Sequence, residues 1–293
     1  MAEKNELGLF LRSRREQLTP ADVGLPDTNR RRTPGLRREE VAALAGLSID
    51  YLVRLEQGRD RHPSLSVVNA LAGALRLDSD ERSHLAKLAA CAGAPELCPV
   101  GSGAVDEVPL TVRSLIDRLD PTPAVVVGPW YQVVAYNSAW ERIMRPIGAL
   151  DSPAPNLARF TFLDARSRDA FPHWSDVADE QVAVLRDAHV RWRRDDRVQA
   201  LVDELSAVPE FAERWGFHDV SRKRRGTKTV VHPLEGELHV DYEVLLIADD
   251  ADQRLITWLP ADDATAAAFH RICGAVAVRR PPASGPARLR IVG

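Results

Sequence analysis

The sequence predicts an α+β protein: an all-α N-terminal domain, then a C-terminal α/β domain with an antiparallel sheet and a helical insert. Three observations carry this prediction. Five short amphipathic patterns of helical period fall between Leu7 and Ala90, with serine or glycine at their borders. Strand patterns come only later, two within residues 121–137 and three between residues 228 and 259. Between the halves, Ala92 to Pro109 is rich in Gly, Pro and Ser and poor in large apolar residues, which is linker composition. The expected boundaries are 1–91, a linker over 92–109, a second domain over 110–278 and a flexible tail over 279–293. With 293 residues, each domain can bury its own core.

In order, Leu7 to Gln17 sets Leu7, Phe10, Leu11 and the following Leu18 on one face, with arginines opposite. A 19-residue polar stretch, Leu18 to Leu36, separates it from a second helix over Arg37 to Ala45, with Val41, Leu44 and Ala45 inward. Gly46 ends that helix, because glycine takes positive φ without strain. Ser48 is a natural N-cap for the third helix, which turns Leu52 and Leu55 inward and stops at Gly58. Ser64 or Ser66 opens the fourth, and a fifth runs from about Ser79 to Ala90.

Past the linker, Leu110 to Leu119 reads as a helix, and PTPAVVVGPWYQVVAYN (121–137) as two strands about a Gly-Pro turn. Helical stripes follow: Val177, Val184, Leu185, Ala188 and Trp192, then Val198, Leu201, Val202 and Leu205. Strands are expected over 228–234, 237–247 and 253–259. In the middle one, Leu238, Val240, Tyr242 and Val244 alternate with Glu237, His239, Asp241 and Glu243, giving an apolar and a polar face.

No apolar run approaches the ~20 residues of a membrane span. The opening MAEKNELGLF has no apolar signal core, so a cytoplasmic chain with no membrane partner is expected. Cys91, Cys98 and Cys273 form no CxxC and no metal spacing, which predicts free thiols and no metal or cofactor. A redox role for Cys91 and Cys98 is the alternative that spacing leaves open. There is no GxSxG, HExxH, P-loop or Cys-His constellation. The carboxylates Glu235, Glu237, Asp241 and Glu243 mark a solvent-facing strand edge, so no enzyme is expected.

Net charge is −3, yet residues 7–62 hold eleven Arg against eight Asp or Glu. Arg30 to Arg38 (RRRTPGLRR) has five arginines and no acid. Such a run is either a solvated loop or a phosphate-binding arm, and its neighbours decide. Those neighbours are two helices joined through Ala45-Gly46-Leu47-Ser48, a turn so short that the helices must cross steeply. Ala42, Ala45 and Gly46 supply the small residues a steep crossing needs. This is a helix-turn-helix pattern, whose second helix presents its N-terminal end to base edges. Arg38, Ser48, Asp50, Tyr51 and Arg54 are the candidates for the major groove. Arg37, Arg59 and Arg61 are candidates for phosphates, and Arg30, Arg31 and Arg32 for a strap along the DNA backbone. One recognition helix covers a half-site, so a homodimer on double-stranded DNA is expected.

The stretch RREEVAALAGLSIDYLVRLEQGRDRHPSLSVVNALAGAL resembles the lambda-repressor-like helix-turn-helix of the Xre transcription regulators. That resemblance implies a recognition helix over Ser48 to Arg54, Arg38 where a glutamine often meets DNA, and a structural acid at Glu56. The 19 residues before the second helix are long for the family, and RRRTPGLRREEVA is instead similar to its MmyB-like subgroup. The similarity continues over roughly residues 7–260, through DRLDPTPAVVVGPWYQVVAYNSAWERIM, FTFLDARSRDAFPHW, HDVSRKRRGTKTVVHPLEGELHVDYEVL and ADDADQRLITWLPAD. It implies a PAS-like ligand-binding domain enclosing an apolar pocket, with fatty-acyl ligands suggested for the family. Trp130, Trp140, Phe160, Phe162, Trp174, Trp192, Leu238, Val240 and Tyr242 are the candidates to line that pocket, against the plainer reading that most of the aromatic ones fill a core. Arg222, Arg225 or His232 could meet an acyl carboxylate if turned inward. The expected function is a DNA-binding transcription regulator that senses a small apolar ligand. The alternative is a helix-turn-helix protein whose C-terminal domain binds a partner protein, as an antitoxin does.

Overall fold

Asn5 opens the first helix, α1 (Glu6–Gln17). Its side-chain oxygen accepts from Gly8 N at 3.0 Å, and its Nδ2 donates to Glu56 O at 2.8 Å. These contacts belong to a computed structural model that describes residues 5–26, 35–93, 106–217, 224–248 and 251–274. Arg30 to Arg32, Cys98, Arg222, the tail from 279 and most of the linker lie outside the described residues.

A 3-10 turn at Ala21–Val23 precedes α2 (Arg38–Ala45), α3 (Ile49–Glu56), α4 (Leu65–Ala74) and α5 (Ser79–Gly93). Local chemistry sets these ends. Glu40 accepts from the Arg37 backbone N–H at 2.7 Å, closing the first turn of α2. Gly46, at φ +66°, ends it, and Leu47 N returns to Ala42 O at 2.9 Å. Ser48 Oγ caps α3 by accepting from Tyr51 N at 3.2 Å. Asp78 and Glu81 form a reciprocal cap on α5, at 2.9 and 2.8 Å. The buried faces meet around Phe10, Leu11, Val41, Leu52, Leu55 and Leu85.

The C-terminal part starts with α6 (Leu110–Leu119) and the hairpin β1 (Ala124–Val127) and β2 (Val133–Tyr136). A helical insert follows: α7 (Ser138–Met144), α8 (Leu157–Leu163), α9 (Arg166–Ala170), α10 (Trp174–Arg191), α11 (Asp196–Leu205) and α12 (Pro209–Gly216). The chain then forms β3 (Arg225–His232), β4 (Gly236–Leu246), β5 (Arg254–Pro260) and α13 (Asp263–Cys273). Helix α13 is an addition to the elements expected from the sequence, and Asp262 caps it by accepting from Thr265 N at 2.7 Å.

All pairings are antiparallel, in the order β2-β1-β5-β4-β3. The expected alternation in β4 is present: Leu238, Val240 and Tyr242 are buried and Glu237, Asp241 and Glu243 exposed. The buried side faces the insert, where Val230, Leu238, Val240 and Ile256 join Trp140 and Leu185 in one core. Behind β1, Ile116 of α6 packs on Ala124, Val126, Ala135 and Leu255, so β1 is buried on both faces. This is the α+β class with a PAS-like sheet and helical insert.

One cysteine expectation is corrected. Cys91 is disulfide-bonded, whereas Cys273 is free and buried. Thiol pairing follows spatial approach and redox conditions, and a residue count reads neither. Burial raises the Cys273 thiol to about 11, which leaves it protonated and inert at neutral pH.

Candidate functional site

The helix-turn-helix is pinned from beneath by Glu56, whose side chain is 3% exposed. Its carboxylate takes Arg15 Nε on Oε1 at 2.7 Å and Arg38 Nε on Oε2 at 2.7 Å. Arg15 also donates to Leu36 O at 2.9 Å, so α1, α2 and α3 share one buried ionic joint. Arg38 is thereby aimed by its inner nitrogen while the rest of the guanidinium stays half-exposed. Arg37, Arg38 and Ile49 line one open cleft with Arg12, at the N-terminal ends of α2 and α3. Those ends carry partial positive charge from the helix dipoles.

Ser48 and Asp50 are exposed beside the cleft, and Tyr51 is half-buried. Ser48 accepts from the backbone, so its hydroxyl proton can still be donated outward. The exposed Arg54 lies 5.5 Å from the Tyr51 ring centroid and 4.0 Å from Asp60 Oδ2. Arg59 is exposed just past α3. Arg61 is exposed as well, with Nε donating to Gly58 O at 3.1 Å, and it borders a crevice lined by Leu88, His189 and Arg193 where α5 meets α10.

Under the sheet lies a second concave site, a cavity of about 50 Å³. Trp140, Phe160 and Tyr242 line it among the residues the sequence singled out, together with Tyr131, Phe171 and Trp258. Trp130, Phe162, Trp174, Leu238 and Val240 are core beside it, in edge-to-face pairs such as Phe162–Trp174 at 5.6 Å. Arg225 is exposed, and His232 is buried with Nε2 3.4 Å from Arg142 O; neither lines the cavity. The cation that does is Lys228, which sequence reasoning missed. Its ammonium lies 4.5 Å from the Tyr242 ring centroid and 5.5 Å from that of Trp258.

Burial lowers the Lys228 ammonium below its ordinary value, and the charge of Glu180 opposes the shift. Tyr242 is raised, first by burial and then by Glu180, to which its hydroxyl donates at 3.3 Å. The signals were in the sequence. Lys228 falls in phase with the buried Val230 on β3, and Glu180 and Gln181 share the helical stripe of Val177 and Val184.

Helix α10 joins the two sites. Val177, Glu180 and Gln181 line the cavity, whereas Val190 packs into the core of the N-terminal helices. Between them Asp187 Oδ1 takes Lys87 Nζ of α5 at 2.8 Å and lies 3.7 Å from Nδ1 of the buried His84. Burial holds His84 below its ordinary pKa, against the pull of Asp187. A second tie runs from α1, where Ser13 Oγ and Gln17 Nε2 both donate to Phe217 O, at 2.7 and 2.8 Å.

These features define a helix-turn-helix DNA-binding module packed against a ligand-binding module. Residues 6–85 match the helix-turn-helix domain family, and residues 108–272 match the MmyB-like transcription regulator ligand binding domain. The chain belongs to the MmyB-like transcription regulators. Comparison with curated proteins finds no match. Among the described residues no helix is long and apolar enough to cross a membrane.

Proposed function

We propose that the chain is an Xre-type, homodimeric cytoplasmic regulator whose operator affinity changes when a small apolar ligand enters the cavity beneath the sheet. The observation that carries this reading is the double membership of α10, which lines the cavity and enters the N-terminal core. A ligand that shifts Val177, Glu180 or Gln181 moves the same rigid rod that holds Lys87. Two copies would offer two recognition helices to half-sites about 34–36 Å apart. Catalysis is not part of this reading, since both matched families are regulatory.

At the DNA, Arg38, Ser48, Asp50, Tyr51 and Arg54 are assigned to base edges, with Arg37, Arg59 and the arm of Arg30, Arg31 and Arg32 on phosphates. Ser48→Ala and Arg54→Ala should change sequence preference, scored by binding to a library of operator variants. Arg59→Ala should weaken every sequence alike and flatten the salt dependence by ~1. Binding unaltered by all three variants would refute the assignment.

The coupling has its own test. Asp187→Asn removes the charge that holds Lys87 while touching neither the cavity nor α3. With decanoate and 3,4-dihydroxybenzoate each tried as the probe ligand, at least one should change the operator affinity of the wild-type chain by about 5–150-fold. The variant should bind DNA and that probe separately yet lose most of the ratio. If the ratio survives intact, the coupling runs by another route.

A further inference from the structure

The polar atoms around the cavity are not arranged for a plain hydrocarbon. Four of the lining residues carry a buried polar atom with no hydrogen-bond partner among the described residues: Nε1 of Trp140, Nε1 of Trp258, Oγ1 of Thr161 and Oε1 of Gln181. Their residues are 0%, 4%, 1% and 6% exposed. Buried donors and acceptors are as a rule satisfied, and each one left unpaired is costly, so four around one small space call for a partner. The Lys228 ammonium adds three more donors. It rests on the faces of Tyr242 and Trp258 within the field of the Glu180 carboxylate, and it makes no hydrogen bond or close ion pair among the described residues.

We propose that the cavity takes a compact aromatic or cyclic carboxylic acid bearing hydroxyl or carbonyl oxygens, with its carboxylate on Lys228. This rests on the ligand-sensing reading above and narrows it from apolar ligands in general to this class. The inventory of the walls sets the chemistry. Two indole N–H groups need acceptors, which ring oxygens provide. The carbonyl oxygen of Gln181 needs a donor, and the carboxylate of Glu180, which already takes the Tyr242 hydroxyl, has room for a second; ring hydroxyls provide both. Six aromatic side chains make the apolar wall, and flat rings stack well on such faces. A saturated acyl chain would reach Lys228 with its head but leave the indoles, Thr161 and Gln181 unpaired. Size points the same way. The cavity is about 50 Å³, well below the ~300 Å³ lower bound of ordinary ligand pockets. A short ring therefore needs less displacement of the walls than a long chain. Lys228 is the lining side chain best able to give way, being half-buried on β3, an edge strand.

The test uses the full chain, titrated calorimetrically with benzoate, 4-hydroxybenzoate, 3,4-dihydroxybenzoate, 4-hydroxybenzamide and decanoate. Affinity should rise from benzoate to the dihydroxy acid, and the neutral amide should bind more weakly than its acid. Lys228→Met should cost the acids about tenfold or more while leaving the amide unchanged. That variant puts an apolar chain at an inward-facing strand position, so folding should hold, and its melting curve checks this. Trp258→Phe keeps a ring but removes one donor, and should weaken the hydroxylated acids while sparing benzoate. Decanoate binding without any hydroxybenzoate binding would overturn this ligand class and leave ligand sensing standing. Equal affinity of the acids for wild type and Lys228→Met would overturn the anchor. No binding by any member would overturn both the class and the sensing reading.

Discussion

Replacing Glu56 by alanine should cost the N-terminal helices about 3–5 kcal/mol, because it strands a buried guanidinium. Arg15 is the reason for the size of the effect. Its side chain is 10% exposed and its Nε and Nη2 both face the Glu56 carboxylate, at 2.7 and 3.4 Å. Removing that carboxylate leaves a desolvated cation with Leu36 O and the half-exposed, solvent-screened Glu16 carboxylate at 3.4 Å. Domains are stable by only about 5–15 kcal/mol, so the loss takes a large share of the total. Urea titration should show a lower midpoint, and operator binding should fall with the folded fraction. Arg38→Ala is the control. Arg38 is 44% exposed and its ion pair is screened by solvent, so its stability effect should stay within about 1 kcal/mol. Adding Arg15→Met to Glu56→Ala should recover much of the loss, since an apolar pair can replace a buried ionic one. A Glu56→Ala protein that unfolds within 1 kcal/mol of wild type would show that the joint does not hold the three helices.

Trp140→Ala should be comparably damaging in the C-terminal part, by about 3–5 kcal/mol. Trp140 is fully buried, 5.6 Å from the Tyr136 ring and 6.4 Å from that of Trp258. Its Nε1 has no partner among the described residues, so truncation forfeits packing and no hydrogen bond within them. The missing indole also enlarges the cavity it lines. Free indole should therefore raise the melting temperature of the variant by filling the gap, and leave wild type unaffected. A variant that melts like wild type would mean the walls collapse onto the space and the cavity has no fixed shape.

Much of the fold was legible because it depends on neighbours in sequence. Gly46 and Ser48 announce the turn through their own φ preference and capping oxygen, and β4 announces its faces by alternation. The cavity was less legible because its walls come from four separate regions of chain. Charge alone points to Arg222, Arg225 and His232, but strand phase and end position decide which cation points inward. On β3 the inward phase belongs to Lys228 and Val230, and His232 shares it only at the far end, against Arg142 O. Helix α13 escaped notice because its Ala-rich run follows a strand without a glycine break, and the cap at Asp262 is a single residue.

The position of Val190 bears on how such regulators can be recombined. This side chain is carried by the sensing half yet fills part of the interior of the reading half. An engineer who exchanges one sensor for another at the linker would remove a methyl-lined plug from the DNA-binding module and expose Leu88 and its surroundings to water. The junction that matters for a functional chimaera is thus the seam between α5 and α10, where the incoming sensor must bring its own replacement for Val190 and for the carboxylate of Asp187.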